Sequence, residues 1–224
     1  MRILALASLV MACQHPTFPT AAPIDHAPPP PAAEHDAVVA RGKYVATISG
    51  CTSCHGKDLA GGNGMPNITI DAATGIGTWS DFQIIAAIRR GVRPDGKRLA
   101  PAMPYPFYNH MTDSDALALV AWIRAQSAIR EQVARGEHPS SEPIDVAAPT
   151  GNLDRADDPL AHGAYLAALM HCGACHAAQR PSRILAISEY EGHALYKDAW
   201  SQLDDDDARA LASFVQSLQP QYQR

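Results

Sequence analysis

The apolar run at the amino terminus, residues 3–13, is too short to span a bilayer as a mature helix. Aromatic residues are scarce, at 6% of the chain, which is few for cores packed by side chains alone. Positive charge is not in excess either. The formal net charge is −5, which argues against a nucleic-acid-binding protein. No βαβ pattern is present, and no methionine follows Met170. Cysteine is sparse, with five in 224 residues, but the spacing of those five is informative.

Four of them form two Cys-x-x-Cys pairs, each followed directly by histidine: Cys51, Cys54 and His55 in CTSCH, and Cys172, Cys175 and His176 in CGACH. This spacing is the signature of covalent c-type haem attachment. Two thiols add across the haem vinyl groups, and the adjacent histidine reaches the iron from the same face. Three anchors within five residues hold the porphyrin in place. A structural zinc site would need four ligands, and a thioredoxin-like pair would need the missing βαβ context. A haem also answers the shortage of aromatics, because small domains bury too little surface alone and a bound porphyrin can serve as the middle of the core.

The fifth cysteine, Cys13, ends MRILALASLVMAC. Leu9 to Cys13 looks like a bacterial lipobox, with Cys13 as the lipidated first residue of the mature protein, although Met11 is unusual there. The competing expectation is an ordinary secretory signal cleaved nearby. Either one exports the chain, and export is where c-type haem is attached. Residues 14–36, with seven prolines, read as an extended, semi-rigid linker that holds a globular part away from a membrane.

The chain repeats itself. Aligned on the cysteines, Ala40-Arg41-Gly42-Lys43-Tyr44-Val45-Ala46 matches Ala161-His162-Gly163-Ala164-Tyr165-Leu166-Ala167. Apolar residues at three- and four-residue spacings predict a helix running into each haem-binding loop. The glycine shared by the two copies suggests close packing against another helix. That partner is expected at the end of each copy. Thr112-Asp113-Ser114-Asp115 resembles a capping box before ALALVAWIRAQ, and Ser201 to Asp204 leads likewise into DDDARALASFVQSL. In the latter, Leu211, Phe214, Val215 and Leu218 form one apolar stripe. His162 is expected to be solvated. The expected organisation is a signal at 1–13, a linker at 14–36, one domain at 37–130, a second linker at 131–155, and a shorter domain at 156–220. The fold class is all-α, with each small domain built around a haem.

With CTSCH, GIGTWSDFQIIAAIRRGV and PAMPYPF in place from Ala37 to Ala128, the first domain resembles class I c-type cytochromes. The modules it resembles are those of dihaem carriers and of cytochrome subunits of membrane-bound alcohol and sugar dehydrogenases. The resemblance implies two class I domains and two haems c. It makes Met103 the sixth ligand of the first iron, and Pro101 and Pro104 would stiffen the loop presenting it. Met65 and Met111 are weaker candidates, Met111 being placed in the core. The resemblance further suggests that Pro66 offers its carbonyl to the other nitrogen of His55, orienting the ring. Trp79 and Arg93 would then lie near the haem propionates.

The second copy departs from this pattern. Its CxxCH lies much closer to its final helix, and nothing corresponds to GIGTWS or MPY. Superposing the final helices on Asp115 and Asp207 puts the position of Met103 at Leu195, two residues from His193. Bis-histidine ligation by His176 and His193 is the leading reading. An open or water-bound iron, or a ligand such as Lys197, is the alternative. His171 shares the short attachment loop, a poor geometry for a ligand. Thioether ligation raises a haem potential and two imidazoles leave it lower, so the pair would be stepped.

Arg89, Arg90, Arg93, Lys97 and Arg98 cluster shortly before Met103 and could steer an acidic redox partner. The expectation for the whole chain is an exported dihaem cytochrome c, not an enzyme. It would be held to the periplasmic side of a bacterial membrane through Cys13 and would relay single electrons between protein partners. Two rivals stand beside it: a haem enzyme or sensor with an open second iron, and a fixed subunit of a larger dehydrogenase or oxidase.

Overall fold

The computed structural model describes residues 32–62, 64–100, 102–133, 157–173 and 200–218. Their regular elements are α1 (Ala32–Ile48), α2 (Cys51–His55), α3 (Asp81–Arg90), α4 (Tyr105–Tyr108), α5 (Asp113–Arg124), α6 (Pro159–Leu169) and α7 (Asp205–Ser217). Among the described residues, β pairing is confined to two isolated bridges, Gly62 with Met65 and Val92 with Arg98. The chain is all-α, as its periodicity predicts.

Local chemistry sets the helix ends. α1 begins at the residue after the four-proline run, so residues 32–36 of the expected linker are already helical. At α3 the Ser80 side chain accepts from the Gln83 backbone while the Gln83 side chain accepts from the Ser80 N–H, a complete capping box. At α5 only half of the expected box forms. Thr112 Oγ1 accepts from the Asp115 N–H at 3.1 Å, but the Asp115 carboxylate points elsewhere. At α7 the cap is Asp204, which accepts from the N–H groups of Asp206 and Asp207, and not Ser201. A carboxylate at the cap also suits the helix dipole.

The shared glycines do what the sequence suggests. A Cβ on Gly42 would stand 1.9 Å from the Ala118 carbonyl oxygen and 2.8 Å from Trp122 Cβ. On Gly163 it would stand 2.2 Å from the Ala210 oxygen and 2.6 Å from Phe214 Cβ. Thus α1 crosses α5 and α6 crosses α7 by the same close approach, at matching positions of the repeat. On α7 this contact buries Asp207 and Ala210. Leu211 and Phe214 of the expected stripe are half-buried, whereas Val215 and Leu218 are exposed.

The two helix pairs share one apolar core, in which Val45, Leu119 and Ile123 join Tyr165, Leu166 and Ala210. Across the junction the polar groups are exchanged reciprocally. Tyr165 of the second copy donates to Asp115 of the first at 2.5 Å, and Tyr44 of the first donates to Asp207 of the second at 2.5 Å. Each carboxylate also keeps a partner from its own copy. Arg41 donates to Asp115 at 2.7 and 2.8 Å, and His162 Nε2 lies 2.6 Å from Asp207. His162 is therefore not solvated, because the buried carboxylate of its own copy draws it inward. Burial together with the neighbouring carboxylate raises both tyrosine hydroxyls well above their usual range, so both remain donors.

Candidate haem-binding site

α1 stops at Ile48, and Gly50, at φ 70°, turns the chain into α2, which consists of CTSCH itself. The left-handed turn is glycine's to make at little cost. His55 is buried, and its Nδ1–H donates to the Pro66 carbonyl at 2.9 Å. That bond fixes the tautomer and leaves Nε2 as the nitrogen available to a metal. Burial lowers the His55 pKa, opposed by the Pro66 bond, so the ring is a neutral imidazole, the form that ligates iron. Burial also pushes the Cys51 thiol up to about 12. Among the described residues no cluster of three or more His, Cys, Asp or Glu side chains could hold a metal, so the zinc reading finds no ligand set there.

Beside α2 opens a cavity of about 1040 Å³. That lies just above the roughly 300–1,000 Å³ range common for ligand sites. Cys51, Cys54 and His55 line it. Its apolar wall includes Ile76, Ile84, Ile88, Leu119 and Trp122, and Arg93 and Arg98 border it too. Two thiols and an imidazole within five residues, apolar walls and two guanidinium groups match the needs of a porphyrin with charged propionates.

Met103 lines this cavity, as do Trp79 and Pro66. Met65 and Met111 line it as well, although Met111 is also part of the core. Arg93 is half-buried and pairs with Asp95 at 3.3 Å. The basic cluster is smaller at the surface than its sequence implies. Arg89 is buried and donates to Asp113 at 2.5 Å, because α3 turns it toward the start of α5.

Sequence reasoning missed Asn67 and Thr69. Buried Asn67 donates through Nδ2 to the Ile129 carbonyl at 2.8 Å and to Thr74 Oγ1 at 3.0 Å. Its Oδ1 accepts from the Thr69 N–H and hydroxyl. The loop carrying the Pro66 carbonyl is thereby tied to the chain leaving α5. The only signal was an asparagine directly after Pro66.

In the second copy α6 leads to His171, Cys172 and Gly173 in the same way. Cys13, Cys175, His176 and His193 lie outside the described residues. His171 is buried against α4, its ring 5.0 Å from that of Tyr108 and 5.8 Å from that of Phe107, and burial pushes its pKa down to about 3.

An all-helical unit with CxxCH on the wall of an apolar cavity defines a covalent haem-attachment domain. Residues 39–127 match the family model described as Cytochrome c, so this stretch is a cytochrome c domain, which implies haem c. The chain is similar to the fructose dehydrogenase cytochrome subunit of Gluconobacter japonicus, at 33% identity over 66% of this chain and 36% of that protein. It is also similar to the gluconate 2-dehydrogenase cytochrome c subunit of Pantoea cypripedii, at 38% identity over 63% and 38%. A third relative is the cytochrome c subunit of the quinone-type alcohol dehydrogenase of Gluconobacter oxydans, at 31% identity over 63% and 35%. The chain thus spans little more than a third of the length of each of these proteins. No helix among the described residues is long and apolar enough to cross a membrane.

Proposed function

We propose that this chain is a dihaem c-type cytochrome, exported and lipid-anchored at Cys13, that carries single electrons at the periplasmic face of a bacterial membrane. The observation that carries the reading is the cavity that gathers Cys51, Cys54, His55 and Met103 on one apolar surface. In this reading Cys51 and Cys54 hold the first haem, His55 and Met103 ligate its iron, and Arg93 and Trp79 border its propionates. Cys172, Cys175 and His176 hold the second haem, with His193 as its distal ligand. Bound haem supplies a one-electron couple. The protein supplies burial, which keeps water from the iron, and a neutral His55 oriented by Pro66.

The names of the relatives favour a cytochrome that serves a membrane dehydrogenase, taking electrons from a catalytic subunit and passing them to a further acceptor. A tagged chain should then co-purify with a flavin- or quinone-bearing subunit. Recovery of the chain alone would favour a free carrier.

Counting haem in the mature protein by pyridine haemochrome tests the core of this reading. Two per chain are expected, with one lost when Cys51 and Cys54 become serine and the other lost when Cys172 and Cys175 do. A single haem in the wild type would refute the dihaem assignment.

The second reading, an open iron that binds a gas or turns over peroxide, rests on the absence of methionine after Met170. Low-temperature EPR separates the two. Two low-spin haems, one becoming high-spin in His193→Ala, would establish His193. A high-spin haem already present in the wild type would favour the open iron.

A further inference from the structure

One contact links the wall of the first cavity to the second attachment segment and takes no part in the polar exchange between the helix pairs. Tyr108, the last residue of α4, lines the haem cavity and donates its hydroxyl to the Ser49 carbonyl at 2.7 Å, two residues before Cys51. The same ring meets the His171 ring edge-on, at 5.0 Å between centroids. His171 is bonded directly to Cys172. Phe107, beside Tyr108, packs at 5.8 Å from the His171 ring, and its Cε1 lies 3.4 Å from where a Cβ on Gly173 would sit. The stretch running from Met103 through α4 therefore touches both haem-attachment segments.

The backbone marks His171 as unusual. Its φ is +54°, whereas its counterpart in the first copy is Gly50 at φ 70°. Residues other than glycine adopt this left-handed conformation uncommonly. Strain of this kind persists where surrounding packing over-determines it, and it points to function at the site. Glycine would take the turn freely but would leave the space against Tyr108 and Phe107 unfilled.

We propose that His171, with Tyr108 and Phe107, is the junction through which the two haem sites exchange electrons. The inference rests on the reading that CGACH carries a haem. One electron leaves the reduced site and reduces the other. No bond forms or breaks and no proton moves. Tunnelling through bonded and packed atoms is faster than across a gap, and this route is Tyr108 ring, His171 ring, one peptide unit and the Cys172 sulfur. Burial pushes the His171 pKa down to about 3, so its ring is uncharged near neutral pH.

The test uses the full mature protein with its haems counted. After rapid partial reduction by pulse radiolysis, the wild type should show a spectral phase whose rate is independent of protein concentration. His171→Gly, which takes the residue of the first copy and relieves the strained φ, should lose this fast phase while keeping two haems and both midpoint potentials. Phe107→Leu should slow it in the same sense. Tyr44→Phe, which removes a bond between the helix pairs without touching the rings, should keep it. An unchanged fast phase in a two-haem His171→Gly protein overturns the junction and leaves the dihaem reading standing. Equal loss in Tyr44→Phe also overturns it, since the rings would then matter only as spacers. A single haem per chain overturns both readings together.

Discussion

At the scale of single residues the site is built from side chains whose protonation and tautomer are set by burial. His55 is the clearest case, with one nitrogen committed to Pro66 and the other free of that bond, as the proposed iron ligation requires. Three methionines share its cavity, so proximity alone does not choose the distal ligand. Met103 is favoured because Pro104 restricts the loop before α4. On the proposed dihaem reading, replacing Met103 by alanine should lower the midpoint potential of the higher-potential haem in a redox titration, since thioether ligation raises it. An unchanged midpoint would transfer the role to Met65 or Met111. The gathering of Cys51, Cys54 and His55 on one cavity wall was legible from spacing alone. Asn67 was not, because its value lies in reaching Ile129, 62 residues away.

At the scale of elements, the decisive feature is how closely the paired helices approach. The atom nearest a Cβ on Gly42 is a backbone oxygen, which cannot swing aside as a side chain would. Gly42→Ala should therefore destabilise the protein by about 1–3 kcal/mol, the usual cost of overpacking, measured as a lower thermal midpoint with haem content retained. A neutral result would mean that α1 can slide on α5. The helices themselves were visible as periodic segments, and Thr112 as a cap. The other half of that capping box does not form, since the Asp115 carboxylate serves Arg41 and Tyr165 and does not fold back on its own helix. Local sequence offers such a side chain a partner nearby. A stronger partner from another element wins when it arrives with a charge or a buried hydroxyl.

At the scale of the whole molecule, the two copies are joined as well as repeated. Tyr44 and Tyr165 each donate across the junction to the other copy's buried aspartate. Hydrogen bonds to charged groups contribute about 1.5–3 kcal/mol, so Tyr44→Phe and Tyr165→Phe should each lower stability by that order in denaturant titrations. Because both bonds close one junction, the double variant should lose less than the sum. Strict additivity would show that the two ends open independently.

The sequence by itself determined the all-α class, the haem attachment expected at CTSCH and the close helix crossings at the repeated glycines. Each of these is written in spacing along the chain: five residues for a porphyrin's anchors, three and four for a helix face. The tertiary structure alone decided what distant residues do for one another. It drew His162 from solvent onto Asp207, buried Arg89 against Asp113, tied Asn67 to Ile129 and set His171 against Tyr108. The physical reason is the same in each case. A buried polar or aromatic side chain takes the partner that folding brings within contact distance, and its sequence neighbours do not reveal which partner that is.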